Sequence, residues 1–147
     1  MYVINTEIEI GASPAEVWHA LIDFHAYPDW NPSIRSVKGK PAPGEELKVV
    51  YHPQGSIVKL KFKVELVTCE PDREFRWVGR LLFPELFAGD HYLMIEPISP
   101  NRVKLIHGER FSGLLKPIVW FLLSRTNIDA FNAMNRALKI RVENKPL

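Results

Sequence analysis

The spacing of apolar residues changes after Lys116 and does not change back. Before that point, apart from one short helical stretch, apolar side chains recur mainly at every second position. From Lys116 to about Asn144 they follow the helical period. In this last segment Ile128, Phe131, Leu138 and Val142 share a face with Trp120 and Ser124, while Arg125, Asp129, Asn132, Arg136 and Lys139 lie opposite. At a rise of 1.5 Å per residue, such a helix runs about 40 Å. A twisted sheet with one wet face must cover its other face, and one long amphipathic helix can do that. The chain is thereby directed to an α+β fold in which a curved antiparallel sheet grips a C-terminal helix.

The strands that form this sheet can be read in turn. "YVINTEIEI" alternates through Tyr2, Ile4, Thr6, Ile8 and Ile10, a half-buried strand. "GASPAEVWHALIDF" switches to helix, with Ser13 as N-cap, Pro14 at the first helical position and Glu16 completing a capping box. Val17, Leu21 and Phe24 give its apolar stripe. "AYPDWNPSI" ends it, because the residue before a proline is disfavoured in helical conformation; Tyr27 and Asn31 should both resist helix. "IRSVKG" and "ELKVVYH" read as strands around the turn-prone "KPAPGE", and "HPQGS" is a further turn. In "IVKLKFKVEL", Val58, Leu60, Phe62, Val64 and Leu66 face one way and Lys59, Lys61, Lys63 and Glu65 the other. "EPDREFRWVGRLLF" is a turn plus strand; "DHYLMIEPI" and "NRVKLIHGERF" are strands joined by the hairpin signal "ISPN". Short strands with short turns imply an antiparallel meander.

Composition narrows the class. A chain of 147 residues, 46% hydrophobic and 24% charged, suits one soluble domain over 1–147. The net charge of +2 comes without a run of lysines or arginines, which argues against a nucleic-acid partner. The single cysteine, Cys69, excludes an internal disulfide and a cysteine zinc cluster. No signal-peptide pattern and no apolar stretch of bilayer length occur, so the expected location is the cytoplasm. His19, His25, His52, His91 and His107 lie on different expected elements without metal-ligand spacing, and no nucleotide, P-loop or serine-hydrolase motif is present. Neither metal nor cofactor is expected.

"SPAEVWHALIDF" leading into "YPDWNPSI", then "FRWVGRLLFPELFAGDHYLMIEP", "VKLIHGERFSGLL" and "AFNAMNRALK", cover nearly the whole chain in an order that resembles the SRPBCC superfamily. That group includes START lipid-transfer domains, birch-pollen-allergen proteins and polyketide cyclase/dehydrase-like proteins. The resemblance implies a helix-grip fold: about seven strands wrapped on the C-terminal helix, with two short helical segments after the first strand. It also implies a cavity between sheet and helix that holds an apolar small molecule. In that fold the "AYPDWNPSI" crossover would pack near the cavity mouth, with Tyr27 and Trp30 facing Leu115, Ile118 or Phe121, unless Trp30 simply plugs the core.

Polar residues on inward faces mark where chemistry could reside. Val103, Leu105, His107, Glu109 and Phe111 share one parity, unless a bulge at Gly108 resets it. His107 and Glu109 are then either a proton-transfer pair or part of an ion pair with Arg110, Arg80 or Arg76. His91 shares parity with Leu93 and Ile95. Trp77 alternates with Gly79, which either leaves room for a ligand or marks a bend. On the long helix, Ser124, Asn127 and Asn135 lie on or near the stripe of Phe131 and could anchor a ligand oxygen or bond to the sheet. The candidate ligand-binding set is Trp30, Phe62, Trp77, His91, Leu93, Leu105, His107, Glu109, Ser124, Asn127, Phe131 and Asn135; His107, Glu109 and His91 are the acid–base candidates. Leu114–Leu123 is apolar on all sides and offers a cover for the cavity mouth, a homodimer contact or a transient membrane contact. Three functions compete: a hydrophobic-ligand binder or carrier, a cyclase- or dehydratase-like enzyme, and a protein-interaction module like the chaperone activators.

Overall fold

A computed structural model describes residues 2–144. Seven strands, β1 (Val3–Ile10), β2 (Ile34–Lys38), β3 (Glu46–Tyr51), β4 (Leu60–Glu70), β5 (Glu74–Arg80), β6 (Ala88–Ser99) and β7 (Arg102–Ser112), pair antiparallel in the order β1-β7-β6-β5-β4-β3-β2. Helices α1 (Pro14–Ile22) and α2 (Tyr27–Trp30), with a 3-10 turn at Phe24–Ala26 between them, connect β1 to β2; α3 (Lys116–Glu143) follows β7. β1 and β2 are the two sheet edges although they are successive in sequence, so α1 and α2 bridge from one edge to the other. Both the α+β layout required by the change of period and the helix-grip order implied by the resemblance are present.

Local chemistry places the connection. The Ser13 hydroxyl accepts the Glu16 N–H at 3.2 Å, and the Glu16 carboxylate accepts the Ser13 N–H at 3.2 Å, which satisfies two free donors at the start of α1. "AYPDWNPSI" departs from expectation at one of its two prolines. Tyr27 is helical, with φ −53° and ψ −43°, although Pro28 follows it. Pro28 sits in the first turn of α2, where its missing N–H costs nothing. The Tyr27 ring is fully buried against Phe24 and Trp30, and its hydroxyl donates to the Leu21 carbonyl at 2.6 Å. That packing outweighs the local preference. Asn31 is extended as expected, and its Oδ1 accepts the N–H groups of Ser33 and Ile34, each at 2.9 Å. Ser33 then donates to the Ala130 carbonyl at 2.7 Å. The crossover is thus pinned to the middle of α3 rather than to its start.

Two further boundaries are corrected. β4 begins at Leu60, not at Ile57, because Tyr51 at the end of β3 pairs with Leu60; Ile57 stays in the loop, fully exposed. On α3 the buried face runs through Asn127, Ala130, Phe131, Met134, Asn135, Leu138 and Val142, while Ile128 is exposed. The helix is rotated so that two asparagines, not Ile128, meet the sheet, and each is hydrogen-bonded across the layer. A buried amide is tolerated when its hydrogen bonds are made.

Candidate functional site

α3 packs on β1 and β7 and leaves open the concave space over β3, β4 and β5. There the structure forms a cavity of about 390 Å³ that is partly open to solvent. Its inner wall carries Val49, Val64, Trp77 and Phe111 from the sheet, and Val119, Leu123 and Phe131 from α3. Leu60 and Phe62 continue the inward parity of β4, yet they remain partly exposed because they border this space instead of a packed layer. Lys61, Lys63, Arg80 and Leu81 complete the lining. Gly79 also lines it, and a Cβ built there would meet only Val64, at an ordinary 3.4 Å.

The register of β7 decides which polar groups enter. No irregularity occurs at Gly108, so His107 and Glu109 keep the inward parity of Val103 and Leu105. A Cβ at Gly108 would lie 2.4 Å from the Tyr92 hydroxyl, which explains a glycine where that ring crosses the outer face. Glu109 pairs across the strands with His91. Its carboxylate accepts Asn127 Nδ2 at 3.3 Å, and Asn127 Oδ1 accepts the Tyr51 hydroxyl at 2.6 Å. The Glu109 carboxyl packs over Gly89, where a Cβ would sit 2.6 Å from Oε2. Burial pushes this carboxyl up to about 7, opposed by the Asn127 hydrogen bond and helped by the negative Asp90. Its remaining exposure is to the cavity that it lines. Burial, and then the nearby Glu109, likewise push the Tyr51 phenol up.

Beneath the cavity lies a second polar group. His91 Nε2 and His107 Nε2 are 2.8 Å apart, and His107 Nδ1 is 2.8 Å from Asn135 Oδ1. His91 stacks on Trp77 and His107 on Phe131, at ring-centre distances of 4.8 and 4.2 Å. Burial, and for His91 also its neighbour His107, holds both imidazoles below their ordinary value, His107 at about 4. Both rings are therefore neutral at physiological pH.

Of the candidates, Phe62, Trp77, His91, Glu109, Asn127 and Phe131 border the cavity. Leu93, Leu105, His107 and Asn135 are buried behind it, in the packed layer. Trp30 and Ser124 lie outside the wall; Trp30 packs edge-on against Tyr27, and neither it nor Tyr27 forms a mouth. Glu109 has no ion pair with the expected arginines among the described residues: Arg76 is engaged by Asp90 and Glu74, and Arg80 by Glu65. Sequence reasoning missed Tyr51, although its parity with Leu47 and Val49 was there to find it, and it set Lys61 and Lys63, which also border the cavity, on the opposite face of β4. The Leu114–Leu123 segment divides. Val119 and Leu123 turn to the cavity, Trp120 packs on Tyr2 and Phe111, and Leu114, Ile118, Phe121 and Leu122 are exposed. No cluster of three or more metal-binding side chains occurs among the described residues. No helix among them is long and apolar enough to cross a membrane.

The family described as polyketide cyclase / dehydrase and lipid transport matches residues 1–143. No curated protein matches the chain. Among solved structures, truncated norcoclaurine synthase from Thalictrum flavum superposes with a TM-score of 0.72 at 14% identity, over 98% of this chain and 94% of that one. The Zhui aromatase/cyclase from Streptomyces sp. R1128 gives 0.73 at 15% identity, over 96% and 93%. A START superfamily protein from Mycobacterium smegmatis gives 0.71 at 21% identity, over 96% and 97%. At these identities the likeness establishes a shared fold.

Proposed function

The chain belongs to the polyketide cyclase / dehydrase and lipid transport family, and from that premise we propose that it binds or carries a hydrophobic small molecule between β3–β7 and α3. The observation that carries this reading is the cavity of about 390 Å³ with mainly apolar walls, a short polar stretch at His91, Glu109, Asn127 and Tyr51, and Lys61, Lys63 and Arg80 along its border. Apolar walls supply affinity through burial, and a few polar groups fix orientation. A lipid, polyketide, isoprenoid or aromatic compound fits that chemistry. The site residues proposed are Phe62, Trp77, His91, Glu109, Asn127 and Phe131, with Tyr51 added. Native mass spectrometry of the protein as purified, together with displacement of a fluorescent fatty acid by a panel of apolar compounds, tests the reading. Retained or displaceable ligand supports it. An empty protein that no apolar compound engages would reject it.

A second reading is favoured by one observation, the Glu109 carboxyl poised near neutrality beside His91 in the cavity wall. A group with that value is suited to proton transfer at physiological pH. A cyclase- or dehydratase-like reaction on the bound molecule would use Glu109 as acid or base, with His91 as its neighbour. The relatives named as norcoclaurine synthase and aromatase/cyclase make such a reaction reasonable to assay. Turnover unchanged in Glu109→Gln would exclude this role. The interaction-module reading has less support, since it expects a filled interior.

A further inference from the structure

Large apolar side chains that stand out in solvent are unevenly spread over this molecule. Fourteen are exposed among the described residues, and ten of them lie in three segments, 57–63, 80–87 and 114–125. These segments border the cavity where it is open: Leu60, Phe62 and Leu81 line it and remain exposed, and Val119 and Leu123 line it from α3. The second and third segments are joined through the backbone, since the N–H groups of Leu114 and Leu115 donate to the carbonyls of Glu85 and Leu86 at 3.0 and 2.9 Å. Ile57 is fully exposed, and Leu82 and Phe121 are each 86% exposed. Leu82 also has a φ of 66° less 5°, that is 61°, in the left-handed region that suits asparagine or glycine and makes a bulky residue an outlier. Core packing accounts for neither its backbone nor its side chain. The same three segments carry six cations, Lys59, Lys61, Lys63, Arg80, Lys116 and Arg125, against one acid, Glu85. Their balance is +5 on a chain whose net charge is +2, so the rest of the molecule is negative. Lys63 and Arg80 have acidic neighbours in Glu46 and Glu65; the other four cations have no ion pair among the described residues.

We propose that this apolar, cationic rim docks the cavity mouth on a bilayer containing anionic lipids, with Leu82 and Phe121 inserted at the boundary between headgroups and acyl chains. That boundary takes apolar side chains out of water while its negative headgroups attract the cations beside them. A second copy of this chain is a poorer occupant, because a two-fold contact through the rim would set +5 against +5. No helix among the described residues is long and apolar enough to cross a bilayer, so these helices can only lie on it. With the mouth on the bilayer, an apolar ligand would pass between acyl chains and cavity without crossing water. That consequence rests on the binding function proposed above; the docking does not.

The test is co-sedimentation of the full chain with vesicles of phosphatidylcholine alone and of phosphatidylcholine and phosphatidylglycerol in equal parts. The wild-type protein should partition onto the anionic vesicles at least about tenfold more strongly, and added salt should weaken that binding. Leu82→Asn and Phe121→Asn should each lower it by about tenfold. Leu82→Asn suits the left-handed backbone better than leucine does, so its thermal unfolding should stay at or above that of the wild type. Lys59→Glu with Lys116→Glu should remove most of the preference for anionic vesicles. Ile140→Asn, an exposed apolar position outside the rim, should change nothing. The wild-type comparison needs no variant, so a variant that fails to fold leaves the proposal open to refutation. No binding to anionic vesicles, or equal binding to both kinds, would overturn it. Loss in Ile140→Asn equal to that in Phe121→Asn would overturn the placement on the rim. A dimer in analytical ultracentrifugation that Phe121→Asn dissociates, with no vesicle binding, would assign the rim to a second copy instead.

Discussion

Glu109 shows how one buried carboxyl ties stability to pH. In the folded chain burial holds its value near 7, against an ordinary 4.5. Between those values the folded state binds more protons than the unfolded state, so raising the pH through this window lowers stability, by at most about 3 kcal/mol. Buried His107, moved from 6.5 to about 4, works with the opposite sign. Its contribution is whole above the unfolded value and is lost as the pH falls toward 4. Between about pH 4.5 and 6.5 the two contributions largely offset each other in the wild type, so chemical denaturation at a series of pH values should show Glu109→Gln, which keeps only the histidine contribution, gaining stability more steeply as the pH rises through that window. Parallel curves for variant and wild type would show that Glu109 is not buried as described. Strand parity in the sequence already placed His91, His107 and Glu109 inward. What parity could not reveal was their partners, because Asn127, Asn135 and Thr6 come from elements far apart in sequence.

At the scale of elements, legibility followed how local the cause was. The start of α1 was readable because Ser13, Pro14 and Glu16 lie within four residues and settle their own hydrogen bonds. Ser13→Ala should cost about 1 kcal/mol in thermal or denaturant unfolding, without changing what the cavity binds; a loss of binding at full folding would contradict that separation. Tyr27 was misread because its helical conformation is imposed by burial and by a bond to Leu21, not by its neighbour Pro28. The rotation of α3 was misread for a similar reason. Hydrophobicity favours burying Ile128, but two asparagines with partners on β1, β3 and β7 compete successfully for the buried face. Strand ends likewise depend on pairing across the sheet, so β4 starts where Tyr51 finds Leu60.

Over the whole molecule, the change of period after Lys116 was enough to give one sheet gripping one helix, and the family resemblance supplied the cavity that alternation alone cannot show. An inward parity looks the same whether the residues meet a packed layer, as Leu93 and Leu105 do, or an open space, as Phe62 does. Only the standoff of α3 from β3–β5 separates the two. That standoff makes Gly79 a place to fill. Gly79→Leu sits on a regular strand with room for its Cβ, so it should leave folding within about 1.5 kcal/mol of wild type. Its side chain should lower the affinity for an apolar ligand at least tenfold, read by fluorescent-probe titration; undiminished affinity would move binding elsewhere. The claim that an apolar molecule occupies this cavity is tested most directly by mapping ¹H–¹⁵N shift changes as 2-naphthol is titrated into the full chain. Saturable changes centred on Trp77, His91, Glu109, Asn127 and Phe131 are expected; changes confined to exposed Leu114, Ile118, Phe121 and Leu122, or none that saturate, would contradict the account.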